Sequence, residues 1–542
     1  MNDRWKTRSQ LSWACVILAS IALILSSPRV ALADACTDPF PTGLSGTVVG
    51  AECQVNSSVV AQGTYNLAFP TAYTLRVCGF PSSCVAAGIG TITVPPLAGG
   101  NTLTLLIGGN LFMDIGSAIV GDVSKADAVG ANINIIVRGS VFLSGDGTNG
   151  AKITSNLTAG SCSGGRSGNI TINSNEGIFT QPGSVISAGD LAASAAKGGG
   201  YKAACPGGAI TMNACQIDVD GKVLSQSALT GTGAVQRPGG GPITIIAACE
   251  LFESNTGVIS SRGLDPGADL VHLQGGCVVD IFGLVESTGP GHAVPNSPKN
   301  HCDDVLRPDK PPNSTACVEV WSGGFLVINS IPPANGEINV DTAQQGGHQV
   351  AWADVFARDF IEILGDSSTP YAIHGNEFVS NSVGAFITVK SQLSTVTTSG
   401  LAIQANGAWG PANGGHGGRV DVEAFQDVNF STNTSVQAKG DVLGGGPQGG
   451  GTILAHSWNH DVAGAASANL DASGGPPLGS VQLHACNAVT YAGSSTPASV
   501  PFTGAGECGV VPFPIYATPL PPCFCFDGTG PEGSIQVCTQ ND

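Results

Sequence analysis

Residues 240–263 read GGPITIIAACELFESNTGVISSRG. Three short apolar runs, Ile243–Ile246, Leu251–Phe252 and Val258–Ile259, are separated by small or polar residues, with glycine at both ends. The β-branched content disfavours a helix, and the unit is too short to bury its own apolar face. It therefore needs neighbours of the same kind. They are present as GNITINSNEGIFTQPGSVISAG at Gly168–Gly189, GGAITMNACQIDVDGKVLSQ at Gly207–Gln226 and ADLVHLQGGCVVDIFGLVESTG at Ala268–Gly289. One three-stroke phrase repeated along a chain reads as a stacked β-solenoid.

Taking Leu103, Ile133, Ile170, Ile210, Ile243 and Leu270 as the starts of first strands, successive coils are 27 to 40 residues apart. The phrase itself is steady, and the length varies in the Gly-rich join between the third stroke and the next coil, as at Gly189–Gly208. Within the first stroke, the pairs Ile170 and Ile172, Ile210 and Met212, and Ile243 and Ile245 are each separated by a threonine. They are expected to form one buried column, with threonine facing out. The class expected is all-β: a right-handed parallel β-helix (β-solenoid) with disulfide-tied terminal caps.

The N-terminus carries basic residues, the apolar run Leu11–Leu25 and Ala31-Leu32-Ala33, the pattern of a signal peptide over residues 1–33. The run is short for a membrane span, so none is expected after cleavage. Cys36 has no large aliphatic residue three positions before it, which argues against a lipidated terminus. Residues 34–100 hold Cys36, Cys53, Cys78 and Cys84 and little periodicity, and read as an N-terminal cap. The solenoid is expected over 101–491, interrupted at 288–324 by a Pro- and charge-rich insertion loop that Cys302 and Cys317 would close. Weaker coils lie at Phe325–Val340 and Ala351–Leu364, the latter with helical character around Trp352–Phe360. Residues 492–542, with Cys508, Cys523, Cys525 and Cys538, read as a C-terminal cap, without the alternating strands of a membrane barrel.

The formal net charge is −18. Loss of the leader would take four basic residues and one acidic residue from totals of 21 and 39, leaving −21. Such a chain repels a phosphate backbone, so no nucleic-acid partner is expected. Of 17 cysteines, all but Cys15 would remain in the exported chain, an even set that reads as disulfides. Zinc is disfavoured: Cys523-x-Cys525 has no second close pair, and His456 and His460 lie in a β-like segment where they share no helical face. No cofactor motif is present.

The Gly-flanked phrase G-x-I-x-I…G-x-I-x-A-x-G over residues 101–491 resembles that of bacterial surface proteins of the filamentous haemagglutinin and adhesin type. The resemblance is one of repeat style. It implies a parallel β-helix, a secreted or cell-surface location, and a structural or binding role toward glycans or another surface. The same fold carries polysaccharide lyases and polygalacturonase-like hydrolases. Asp303, Asp304, Gly415-His416-Gly417 and Arg419 resemble the elements of those hydrolases, without their Asn-Thr-Asp motif, and over 100 residues separate the acidic pair from His416.

Asp146 and Asn149, in the GDGTNG turn at Gly145–Gly150, are the calcium candidates, with an ordinary turn as the competing reading. His272, His348, His374 and His484 have no carboxylate that the sequence places beside them, and Trp321, Trp352, Trp409 and Trp458 read as packing residues. Cys215, Cys249 and Cys277 fall at one corner of three successive coils, so one disulfide is expected, Cys215–Cys249 or Cys249–Cys277. Binding is expected along the insertion edge, around Gly189–Gly208 and Thr288–Gly324.

Overall fold

Each repeat of the phrase folds into one coil of three strokes, the first two running on as a single strand at Ile210–Val219 and Ile243–Glu253, and the coils stack in parallel. The computed structural model describes residues 35–38, 43–68, 72–80, 84–96, 100–125, 127–158, 165–189, 207–226, 240–262, 270–288, 317–341, 351–367, 370–376, 383–407, 415–441 and 448–512. Among them there is no helix. First and second strands together form a 27-stranded sheet, and third strands form a 14-stranded sheet. The protein is a parallel β-helix with disulfides near both ends.

The register follows the sequence phrase. Leu103, Ile133, Ile170, Ile210 and Ile243 are successive partners in the first strand. The next partner is Val271, one residue beyond the expected Leu270. Val271 and Leu273 share the inward parity, whereas Leu270 turns outward to pack beside Cys317 and Trp352. The six first-stroke residues form two adjacent inward rows rather than one, Ile170–Ile210–Ile243 and Ile172–Met212–Ile245, because side chains two apart share a face. All six are fully buried.

Glycine punctuates the phrase for a steric reason. At the corner where a third strand hands over to the next first strand, a Cβ on Gly208 would collide with the Gly168 carbonyl, and one on Gly451 with the Gly418 carbonyl. The number of residues from a third strand to the next first strand varies from coil to coil, as between Thr154 and Ile170 or Ser187 and Ile210, while the strands themselves keep register.

The stack begins earlier than Asn101. Gly63–Leu67 pairs in parallel with Thr102–Ile107, Thr74–Val77 with Leu111–Met113, and Thr91–Thr93 with Ala118–Val120. Even Glu52–Val55 stacks on Thr74–Val77. The end-covering element is the antiparallel strand Thr47–Val49 on Glu52–Val55, fixed by the Cys36–Cys53 disulfide. Polar and proline residues between these short strands hide their period from the sequence. At the other end the stack passes residue 491: Ser494–Thr496 pairs with Asn469–Asp471, and Val500–Thr503 with the strand Ser480–Ala485. Cys508 bonds to Cys486 of that last full coil, while Cys523, Cys525 and Cys538 lie outside the described residues, as do residues 1–33.

The helical character expected around Trp352–Phe360 is absent. Trp352–Ala357 and Ile361–Leu364 are strands, the first held on both edges by Cys317–Ser322 and Phe386–Ser391. Two ready-made parallel edges outweigh a local propensity worth tenths of a kcal/mol per residue.

Candidate binding surface

The residues singled out by sequence do not converge on a catalytic group. Cys302, Asp303 and Asp304 lie outside the described residues, with His348 and Trp409. His416 is exposed and its Nδ1 accepts the Gly449 amide at 3.2 Å. Arg419 binds Asp421 of its own strand at 2.8 Å. Asp146 Oδ1 accepts the amides of Thr148 at 2.9 Å and Asn149 at 2.7 Å, which pull its carboxyl below the usual range. That carboxylate is spent on closing its turn, and no metal-binding cluster occurs among the described residues.

The tryptophans pack as expected. Trp321 lies 4.5 Å from Phe356, Trp352 meets the edge of Phe386 at 4.8 Å, and Trp458 stacks on His456 at 3.9 Å. The histidines do not behave as expected. His272 Nδ1 is 3.3 Å from Glu319, His484 Nδ1 is 2.7 Å from Glu507, and buried His374 lies between Glu337 at 2.8 Å and Asp341 at 3.0 Å. For His272 and His374 the partner sits one coil away, a distance set by the register rather than by sequence separation. Burial alone would lower the His374 pKa, but hydrogen bonds to Asp341 and Glu337 outweigh it and raise it to about 9.

Cys215, Cys249 and Cys277 do share one corner. Cys215 sits at a register shift opposite Ala248 and Cys249, and the Cys277 amide donates to the Cys249 carbonyl at 2.7 Å. Among the described residues the disulfides are Cys36–Cys53, Cys78–Cys84 and Cys486–Cys508. Cys317 is buried, its amide bound to Ser287 Oγ at 3.0 Å.

Stacking joins the outward threonines into a surface that no single coil carries. On the outward side of the first strands, one row runs Thr64, Thr104, Asn134, Thr171, Thr211, Thr244. A second row, two residues on, runs Asn66, Leu106, Ile136, Asn173, Asn213, Ile246. Neither row contains a charged side chain, and each position is half-buried or exposed, with Ile136 44% exposed. Side-chain bonds run along the stack: Asn213 Nδ2 donates to Asn173 Oδ1 at 2.8 Å, and Asn134 Nδ2 to Thr104 Oγ1 at 3.5 Å. At the strand entrance, Asn132 Oδ1 accepts the Asn169 amide at 3.0 Å and Asn169 Oδ1 the Ala209 amide at 2.9 Å. Farther along, the rows become His272, Glu319 and Asp354 and Gln274, Trp321 and Phe356, and from Glu319 and Gln274 onward these are buried. The open neutral face therefore ends near Thr244.

The second strands present a different outward row. Phe112, Phe142 and Phe179 stack face to face at 5.0 and 5.1 Å, and Arg76 lies over Phe112 at 4.7 Å. Their faces are used on one another. Beyond them the row turns acidic: Asp218, Phe252 and Asp280 are register partners, with Glu250 two residues before Phe252. Burial, followed by the charge of Glu250, raises the carboxyls of Asp218 and Asp280 above their ordinary range.

Comparison with protein-family models, with curated proteins and with solved structures finds no match to this chain.

Proposed function

We propose that this is a secreted or cell-surface β-helix protein with an adhesin-like structural and binding role, directed at glycans or another surface. The observation that carries the reading is the neutral face from Thr64 to Thr244, an open array of hydroxyl, amide and aliphatic groups on a rigid stack. A scaffold that is already ordered loses little conformational entropy when it binds. Disulfides near both ends suit an oxidising, extracellular setting. Retention of the purified protein on insoluble polysaccharides, with no release of reducing ends or unsaturated products, is the expected result. Product formation abolished by Asp304→Asn would replace this reading with an enzyme.

A carbohydrate-active enzyme is the second reading, favoured by the acidic row. Asp218 and Asp280 flank Phe252 two coil steps apart, about 9–10 Å at the inter-strand spacing, near the upper end of the separation used by inverting glycosidases. Hydrolysis lost in both Asp218→Asn and Asp280→Asn would establish it.

A further inference from the structure

The binding reading can be made specific in ligand and direction. We infer that the two rows from Thr64 to Thr244 bind a neutral, extended glycan chain lying along the solenoid axis, with one sugar residue per coil. The inference rests on the glycan-binding reading above.

Three features of the face select that ligand. The first is spacing: successive coils repeat at about 4.8 Å, close to the length of one pyranose residue in an extended chain. Each sugar along the axis would meet one member of the row Thr64–Thr104–Asn134–Thr171–Thr211–Thr244. The second is chemistry. Hydroxyl and amide side chains both donate and accept, as sugar hydroxyls require, while Leu106, Ile136 and Ile246 in the parallel row offer aliphatic contact to sugar C–H faces. The third is charge. Both rows are uncharged in a chain of net charge −18, so a polyuronate or sulfated chain gains no attraction here and meets a repulsive surrounding field.

The face also has a defined length. It is bounded beyond Thr244 by the buried row Glu319 and Asp354. Six rungs at the inter-strand spacing accommodate about six sugar residues.

The test is calorimetric titration of the exported protein with neutral oligosaccharides of increasing length from the β-linked glucan, xylan, mannan and chitin series. Affinity in at least one series should climb with length and level off at about six residues, set by the rung count. The double variant Thr171→Val, Thr211→Val keeps the β-branched shape and should weaken binding about tenfold by removing two hydroxyls. Ile136→Asp should abolish it, and circular dichroism establishes that both variants fold. Binding that does not depend on length, or that survives all three substitutions, overturns this face while leaving a glycan-binding protein. Loss of binding only in Asp280→Asn moves the ligand to the acidic row and likewise overturns it. Failure to bind any neutral or charged glycan removes the binding reading as well.

Discussion

His374 Nε2 lies 2.8 Å from Oε1 of Glu337, in the preceding coil, and its Nδ1 lies 3.0 Å from Asp341 on the same strand side. His374 pairs in register with Asn339, so carboxylates two residues to either side close on both ring nitrogens. Both nitrogens donate, which requires the imidazolium.

The pH dependence follows. The folded pKa is about 9 against an ordinary 6.5, so the stabilisation is fully present below about pH 6.5 and is lost as pH rises through about 9. The shift corresponds to something on the order of 3 kcal/mol. Urea midpoints measured across that window should fall for the native protein and fall less steeply for His374→Gln, which should be the less stable of the two at pH 6. An unchanged slope in the variant would mean that another group controls this window.

Glu253 is the opposite case. Its side chain points into the core with the inward parity of Leu251, is fully buried, and has no hydrogen-bond partner for either oxygen among the described residues. Desolvation pushes its pKa well above the ordinary carboxyl value, so the fold tolerates the group when it is protonated and is opposed by it increasingly as pH rises. Glu253→Gln should flatten the decline above the normal carboxyl range. Glu253→Leu should in addition raise stability at neutral pH by roughly 1–3 kcal/mol, the cost of an unsatisfied polar group. A leucine variant less stable than the native protein at pH 7 would contradict this account.

The fold was legible because its information is local and repeated. Alternation in Ile170–Ile172, Ile210–Met212 and Ile243–Ile245 encodes which side faces in, and glycine marks the corners. The outer coils were missed where strands such as Ser58–Val60 and Ser494–Thr496 are only three residues long, too short to show a period, and the second is wholly polar. Pairing on a stack already formed makes them strands. Alternation made the outward threonines legible, but not the candidate surface they belong to, because its rows are a property of register. Thr104 and Thr244 belong to one row only once the variable joins are closed and neighbouring coils align. The same holds for His272 with Glu319, 47 residues apart in sequence and 3.3 Å apart in space.

Ile245 tests the core. It is fully buried between Met212 and Leu273 of the adjoining coils, so aspartate there places a charge in an interior row with nothing to pair it. The expected cost exceeds 4 kcal/mol, enough to prevent accumulation of folded protein. Outward Thr244→Asp, one residue away, should change stability by less than about 1 kcal/mol. Equal damage from the two substitutions would invert the assigned register.

The cysteine corner gives a chemical test of the stack itself. Cys277 and Cys249 are joined through their backbones by a 2.7 Å hydrogen bond, whereas Cys215 faces a register shift that sets two residues against one. Adjacent coils lie about 4.8 Å apart, within the roughly 4.4–6.8 Å between Cα atoms that a disulfide spans. Cys277 is exposed and Cys249 half-buried, so an oxidising environment reaches both. The expected product is a Cys249–Cys277 bond, with Cys215–Cys249 as the competing pair that the bulge disfavours. Because Cys249 is common to both pairs, Cys249→Ser removes either bond, while Cys215→Ser leaves the expected one in place. Non-reducing peptide mapping should join the peptides carrying Cys249 and Cys277, and the joined species should persist in Cys215→Ser. Recovery of all three residues as alkylated peptides from the unfolded, unreduced protein would show that no bond forms at this corner.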